Sequence, residues 1–293
     1  MWQQKSFADE EKKGILYLVP TPIGNLEDMS YRAIRILRES DFIAAEDTRN
    51  TKKLCHYFEI ETPMISYHEH NKETSGEKMI QKLKNGSKIA LVSDAGMPTI
   101  SDPGVELVAK AIEEQLAVVP LPGANAALTA LIASGIQTHP FYFYGFLSRQ
   151  KKEKRKELEE LKKISATIIL YEAPHRLKET LLLIEESFGN RKIAICRELT
   201  KKYEEFIRGT VSEVREWANR EEVRGEFCLI IEESLNENED SQVISWWEQL
   251  SISEHVDHYV KIKEMAVKEA IKKTAMDRDM SKRDVYHAYH IEE

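Results

Sequence analysis

A chain of 293 residues with 42% apolar side chains exceeds one ordinary domain and can fill two cores. Its three cysteines, Cys55, Cys196 and Cys228, are far apart and lack C-x-x-C spacing. Neither a disulfide framework nor a zinc site is indicated, and reduced core thiols in a cytoplasmic protein without a metal are expected. The net charge of −8 argues against a polyanionic partner only until it is mapped: Glu232–Asp240 holds five acids and no base, whereas Arg149–Lys156 holds six bases in eight residues.

The opening MWQQKSFADEEKKG carries charges where a signal peptide needs an apolar run, so no export is expected. Apolar runs follow at Ile15–Val19, Phe42–Ala45, Met64–Tyr67, Ile89–Val92 and Ala117–Leu121, each trailed by a helix-like segment. Strands alternating with helices predict β-α-β units on a parallel sheet. Helix starts are signalled by Ser30, by Thr48, and by Asp102-Pro103, which reads as a cap with proline at the first helical position. The stretch from Ala117 to Ile136 has no formal charge over about 20 residues, the length of a membrane span. Its PLPGAN would break a spanning helix, so it reads as a strand, a tight turn and a helix over Ala126–Ser134, with no membrane role.

A second unit begins near His139-Pro140, with strands at Phe141–Gly145, Thr167–Tyr171, Ile193–Arg197, Glu204–Arg208 and Phe227–Glu232. Only some have room for an intervening helix, so this sheet is expected to be mixed. The predicted organisation is an N-terminal α/β domain over 14–138, a second α/β domain over 139–233, and an acidic linker with a helical tail over 234–293. Within the tail, two amphipathic helices flanking DRDMS fit either a helix-turn-helix or a plain helical hairpin.

In an open parallel sheet, ligands bind beyond the carboxyl ends of the strands. The loops expected at those ends are PTPIGNLEDMS, EDTRN, SDAGMPTISDPG and PLPGANA, in which glycines permit close approach and prolines add stiffness. Neither a G-x-G-x-x-G after the first strand nor a P-loop is present. Glu27, Asp28, Glu46, Asp47, Asp94 and Asp102 against Arg49 make the crevice acidic, which suits a cationic ligand better than a pyrophosphate.

LYLVPTPIGNLEDMSYRAI, IAAEDTR, LVSDAGMPTISDPG, PLPGANA, FYGFL, YEAPHR and RELTKKYEEFIRGT together resemble the ribosomal RNA small subunit methyltransferase I family, the 16S rRNA (cytidine 2′-O)-methyltransferase branch of the tetrapyrrole methylase fold. The resemblance runs from about Gly14 to Glu233, and it implies a two-domain α/β fold with a helical C-terminal tail. It also implies S-adenosylmethionine in the cleft between the domains and methyl transfer to a ribose 2′-hydroxyl in the decoding region. Where the wider fold has G-x-G-x-G, this chain has Pro20-x-Pro22-x-Gly24. Carried over by position, the cofactor contacts are Pro22, Ile23, Gly24, Asp94, Ala95, Gly96, Met97, Ala124, Asn125, Ala126, Tyr171 and Glu172.

The candidate bases for the hydroxyl proton are Asp47, Asp102 and His175, with Asp47 first because EDTR pairs it with Arg49. Against these, Asp102 reads as a helix cap, Asp47 lies beside one, and His175 can serve as a phosphate ligand. For RNA the expected contacts are Arg49, Arg149, Lys151, Lys152, Lys154, Arg155, Lys156, Arg176, Lys201 and Lys202, although a basic run is also what a solvated helix face looks like. The expected partners are small-subunit rRNA or the 30S subunit, and a second copy in a homodimer. The rival readings are a methyltransferase for a tetrapyrrole-like small molecule and a non-catalytic rRNA-binding assembly factor.

Overall fold

The first five apolar runs form one parallel sheet, because each is short, apolar and separated from the next by a helix that returns the chain to the same end of the sheet. In the computed structural model these are β1 (Ile15–Val19), β2 (Phe42–Ala45), β3 (Met64–Ser66), β4 (Lys88–Val92) and β5 (Ala117–Pro120), in the order β3-β2-β4-β1-β5. Helices α1 (Tyr31–Glu39) and α2 (Thr48–Tyr57) pack on one face, and α3 (Lys72–Lys84) and α4 (Val105–Glu113) on the other. The structure describes residues 1–5, 13–233, 247, 250–263, 265–278 and 280–291.

Ser30 caps α1 as expected, its Oγ accepting from the Ala33 N–H at 3.1 Å. Two other expected helix starts are corrected. The cap of α2 is Asp47 rather than Thr48. The cap of α4 is Gly104, at φ 142°, so Asp102 and Pro103 lie in the preceding loop. Asp102 is thereby released from a capping role.

The second sheet contains β6 (Phe141–Phe146), β7 (Thr167–Glu172), β8 (Lys192–Arg197), β9 (Glu205–Thr210) and β10 (Phe227–Ile231), in the order β6-β7-β10-β8-β9. Only β6 and β7 run parallel; the other pairings are antiparallel, which is the expected mixed sheet. Helices α6 (Lys151–Leu161), α7 (Pro174–Phe188) and α8 (Val211–Arg220) cover one face with the largest core cluster. The opposite face is covered by α5 (Ala126–Ser134), through Ala127, Ala130 and Leu131 against Ile169, Ala194, Cys196 and Ile230. By chain order α5 belongs with the first sheet; by packing it belongs to the second.

The chain divides into two compact units, Met1–Ser234 and Leu235–Glu293, and both sheets lie in the first. The second holds α9 (Ile252–Asp257), a π-helical stretch His258–Ile262, α10 (Val267–Asp277) and α11 (Lys282–Ile291), around Val256, Ala270, Ile271, Ala275 and Val285. His255 is buried there and stacks on Trp247 with ring centroids 5.3 Å apart. From residue 234 on, the expected acidic run Glu232–Asp240 lies outside the described residues.

Candidate active site

The loops after β1 and β4 are adjacent because those strands pair, and they join beyond the sheet edge. Thr21 and Gly96 exchange both backbone hydrogen bonds, at 2.9 and 3.0 Å. Gly96 holds φ 81°, and a Cβ there would lie 3.2 Å from Ile23 Cγ2 and 3.4 Å from the Ala124 carbonyl, so only glycine leaves this cradle open. Asn125 caps α5 by accepting from the Leu128 N–H at 2.9 Å, and the Tyr171 hydroxyl accepts from the Ala127 N–H at 3.1 Å. Among the described residues the Ala126 N–H of that turn has no acceptor, at the end of a helix where anions are favoured.

These elements enclose a cleft of about 510 Å³ between the two sheets. That is a typical size for a small-molecule site. One wall is Ile23 with Asp94, Ala95, Gly96 and Met97; Asn125 and Ala126 form the second, and Tyr171 and Glu172 the third. Phe143 and Phe146 meet Tyr171 edge to face at 5.1 and 5.5 Å, and burial pushes the Tyr171 phenol up to about 12, so it stays protonated. Three expected contacts do not line this cleft. Pro22 and Gly24 face a neighbouring cavity, and Ala124 is present only through its carbonyl behind Gly96.

Gly24 is needed for another reason. A Cβ on it would lie 2.4 Å from Lys201 Cγ and 2.9 Å from Thr200 Oγ1, because the loop between β8 and β9 is pressed against it. The Asn25 N–H donates to Thr200 Oγ1 at 3.0 Å, which ties the first domain to the second. Glu198 and Thr200 hold positive φ, 50° and 65°, to shape that loop. It brings Glu198, Leu199 and Lys201 to the cleft, beside Glu226 and Phe227. None of these was anticipated as a cofactor contact, since only three-dimensional proximity marks them. Cys196 and Cys228 sit in register on β8 and β10 and line the floor as free thiols, whose ionisation burial pushes up.

The acids behave differently from one another. Asp47 is held by Arg49, whose Nη2, Nε and backbone N–H donate to its carboxylate at 2.7, 3.0 and 2.8 Å. Those bonds lower its pKa to about 2. A group so occupied is a weak base, and Asp47 does not line the cleft. Asp102 does, beside Ile100 and Ser101. Burial, then the charges of Glu46 and Asp94, raise its carboxyl to about 6. Glu46 bonds to it and is raised too, chiefly by burial. His175 lines the cleft in the first turn of α7 and is exposed.

The profile of the tetrapyrrole (corrin/porphyrin) methylases matches residues 15–215. Ribosomal RNA small subunit methyltransferase I of Bacillus subtilis is 65% identical over 99% of this chain and 99% of its own length. The same enzyme of Halalkalibacterium halodurans is 58% identical over 100% of both chains. The chain belongs to the ribosomal RNA small subunit methyltransferase I family. Among solved structures, a diphthine synthase superposes with TM-score 0.60 at 12% identity, covering 75% of this chain and 90% of that one. A uroporphyrin-III-C-methyltransferase from Thermus thermophilus does so with TM-score 0.52 at 19% identity, covering 74% and 94%. Both share the two-domain fold.

The expected RNA contacts of this chain separate by exposure. Lys154 is fully buried, its ammonium donating to Glu179 at 3.0 Å and Thr180 at 3.1 Å, so it holds α6 to α7 and cannot meet a phosphate. Arg176 turns inward to the Leu147 and Ser148 carbonyls, at 2.6 and 2.9 Å, and pairs with the buried Glu172 at 3.2 Å. Glu172 also accepts from Thr180 Oγ1, so its role is structural as well as cleft-lining. Lys201 lies between Glu198 and Glu226, at 3.1 and 2.8 Å. Arg155 pairs with Glu186 and Lys156 with Glu153, while Arg49 is occupied by Asp47. Arg149, Lys151 and Lys152 remain exposed and form no ion pair among the described residues, although the Lys151 charge is felt by Glu179, and Lys202 lies over the Tyr203 ring at 5.5 Å. Among those residues no group of three His, Cys, Asp or Glu could hold a metal ion, and no helix is long and apolar enough to cross a membrane.

Proposed function

We propose that this chain transfers a methyl group from S-adenosylmethionine to the ribose 2′-hydroxyl of a cytidine in the decoding region of small-subunit rRNA. The observation that carries the reading is identity of 65% over nearly the whole length of a ribosomal RNA small subunit methyltransferase I. The cleft fits the cofactor. Gly96 leaves room for a ligand against Ile23, Asp94 can take its ammonium, and the Ala126 N–H can take its carboxylate. When bound, the sulfonium supplies an electrophilic methyl group. Asp102 is the residue we assign to accept the hydroxyl proton, because it lines the cleft with a pKa raised to about 6 and can therefore be both ionised and basic near neutral pH. Asp47 holds Arg49 and the start of α2 in place instead.

Arg149, Lys151, Lys152 and Lys202 are the cations available for phosphates of the RNA. An rRNA substrate locates the work in the cytoplasm. A homodimer is supported by edge strand β6, where Phe141 and Tyr142 are exposed, and by exposed Leu128 and Ile132 on α5. The test is to map methylated riboses in small-subunit rRNA from cells with and without the protein, then add the purified protein and cofactor to the deficient subunits. One cytidine ribose should lose its methyl group in the deficient cells and regain it in vitro. An unchanged ribose map would overturn the proposal.

A further inference from the structure

Beside the cofactor cleft lies a second cavity of about 320 Å³, and Asp94 is a wall of both. Its floor is the loop after β1, where Pro22 and Gly24 face it rather than the cleft. Its side is one face of α2, on which Asn50, Lys53, Leu54 and Tyr57 stand at helical spacing. Tyr57 is 63% exposed, and its ring is backed edge to face by Phe58 at 4.9 Å, so a large aromatic is presented to solvent in a supported orientation. Lys53 is exposed and has no carboxylate partner among the described residues. Asn50 donates its amide N–H to Asp94, at 3.4 Å, and its side-chain carbonyl oxygen accepts no hydrogen bond among the described residues.

We infer that this cavity is a subsite for one unpaired nucleotide of the RNA strand, next to the nucleotide whose ribose enters the cleft. The inference rests on the methyltransferase reading above and adds to it a place where the strand is gripped. Single-stranded RNA is recognised by stacking unpaired bases on aromatic rings and by hydrogen bonds to their edges. Tyr57 supplies the stacking surface, the Asn50 carbonyl accepts from an exocyclic amine, and Lys53 at the rim meets the phosphate. The Asp94 carboxylate at the shared wall disfavours a phosphate in the depth of the cavity, which orients the nucleotide base-inward. Because Asp94 borders both cavities, a strand seated here brings the adjoining ribose to the cofactor side.

The test uses the full-length protein, S-adenosylmethionine, and small subunits lacking the methyl group. Tyr57→Ala should raise the KM for subunits roughly five- to a hundredfold, the worth of one stacked base. Tyr57→Phe should stay close to the parent protein, and cofactor affinity by calorimetry should be unchanged in both. Lys53→Ala should lower the salt slope of subunit binding by roughly 0.7 to 0.9, one phosphate contact. If the parent protein methylates subunits while Tyr57→Ala and Lys53→Ala leave KM and salt slope unaltered, the subsite is refuted and the methyltransferase reading stands. If Tyr57→Ala weakens cofactor binding, the cavity belongs to the cofactor and the subsite is likewise refuted. If the parent protein methylates no subunit, the proposed function fails, and the subsite with it.

Discussion

Asp47 and Asp102 are the same residue type in neighbouring loops, and their surroundings give them opposite chemistry. Three donors from Arg49 stabilise the Asp47 carboxylate, whereas burial and two neighbouring acids destabilise that of Asp102. Single-turnover methyl transfer should rise with pH up to about 6 and level off above it, as Asp102 loses its proton. Asp102→Asn should remove that limb and lower the rate roughly 10²–10⁴-fold, while Asp47→Asn, with a competent cap retained, should cost far less. A full rate for Asp102→Asn would exclude it as the base. Stability gives an independent check. The folded state holds the Asp102 proton more tightly than the unfolded state, so stability should fall as pH rises from about 4 to about 6. In thermal melts Asp102→Asn should be the more stable protein at pH 7, and the difference should close near pH 4. Little of this was legible in the sequence. The string SDPG marks a turn and a cap with equal force, and only the position of Gly104 decides between them.

At the scale of elements, α6 shows how a composition signal can be right in sum and wrong at one position. Six bases in eight residues suggested a phosphate-binding face, yet Lys154 lies inside. The clue was available: Lys154, Leu158 and Leu161 fall at i, i+4 and i+7, on one stripe, and both leucines are buried with it. The charge count overrode the periodicity. Lys154→Ala should lower stability by about 2 kcal/mol, from its lost charged hydrogen bonds and buried stem, since Glu179 is 41% exposed and is not left as a buried charge, with no change in the salt slope of RNA binding. Lys151→Ala with Lys152→Ala should do the reverse, which denaturant melts and binding at several salt concentrations would show. A normal melt for Lys154→Ala would mean that its bonds to Glu179 and Thr180 contribute little. Strand positions were easier to read, because the apolar runs of both sheets are short and bounded by turn residues. The loop carrying Glu198, Leu199 and Lys201 was not, since its contact with Gly24 joins residues about 175 positions apart.

For the whole molecule, the fold class followed from strand and helix alternation, and the family from the loop sequences after β1, β4 and β5. The packing of α5 did not follow, because a helix built of small residues carries no mark of which sheet it will meet. That packing has a consequence for the order in which the chain assembles. A ribosome releases α5 before any strand of the sheet that buries it, so the first five strands can pair while this helix waits with Ala127, Ala130 and Leu131 uncovered. Conversely, a fragment beginning at His139 would make every strand of the second sheet yet lack the cover over Ile169, Ala194, Cys196 and Ile230. Such a fragment should aggregate or bind a hydrophobic dye. Extending it back to Leu121, so that α5 is included, should quench the dye signal, and an equally dye-bright longer fragment would argue that the helix needs the first sheet to dock. A nascent chain of this protein is thus exposed to chaperone capture from the emergence of α5 until β10 closes the sheet beneath it.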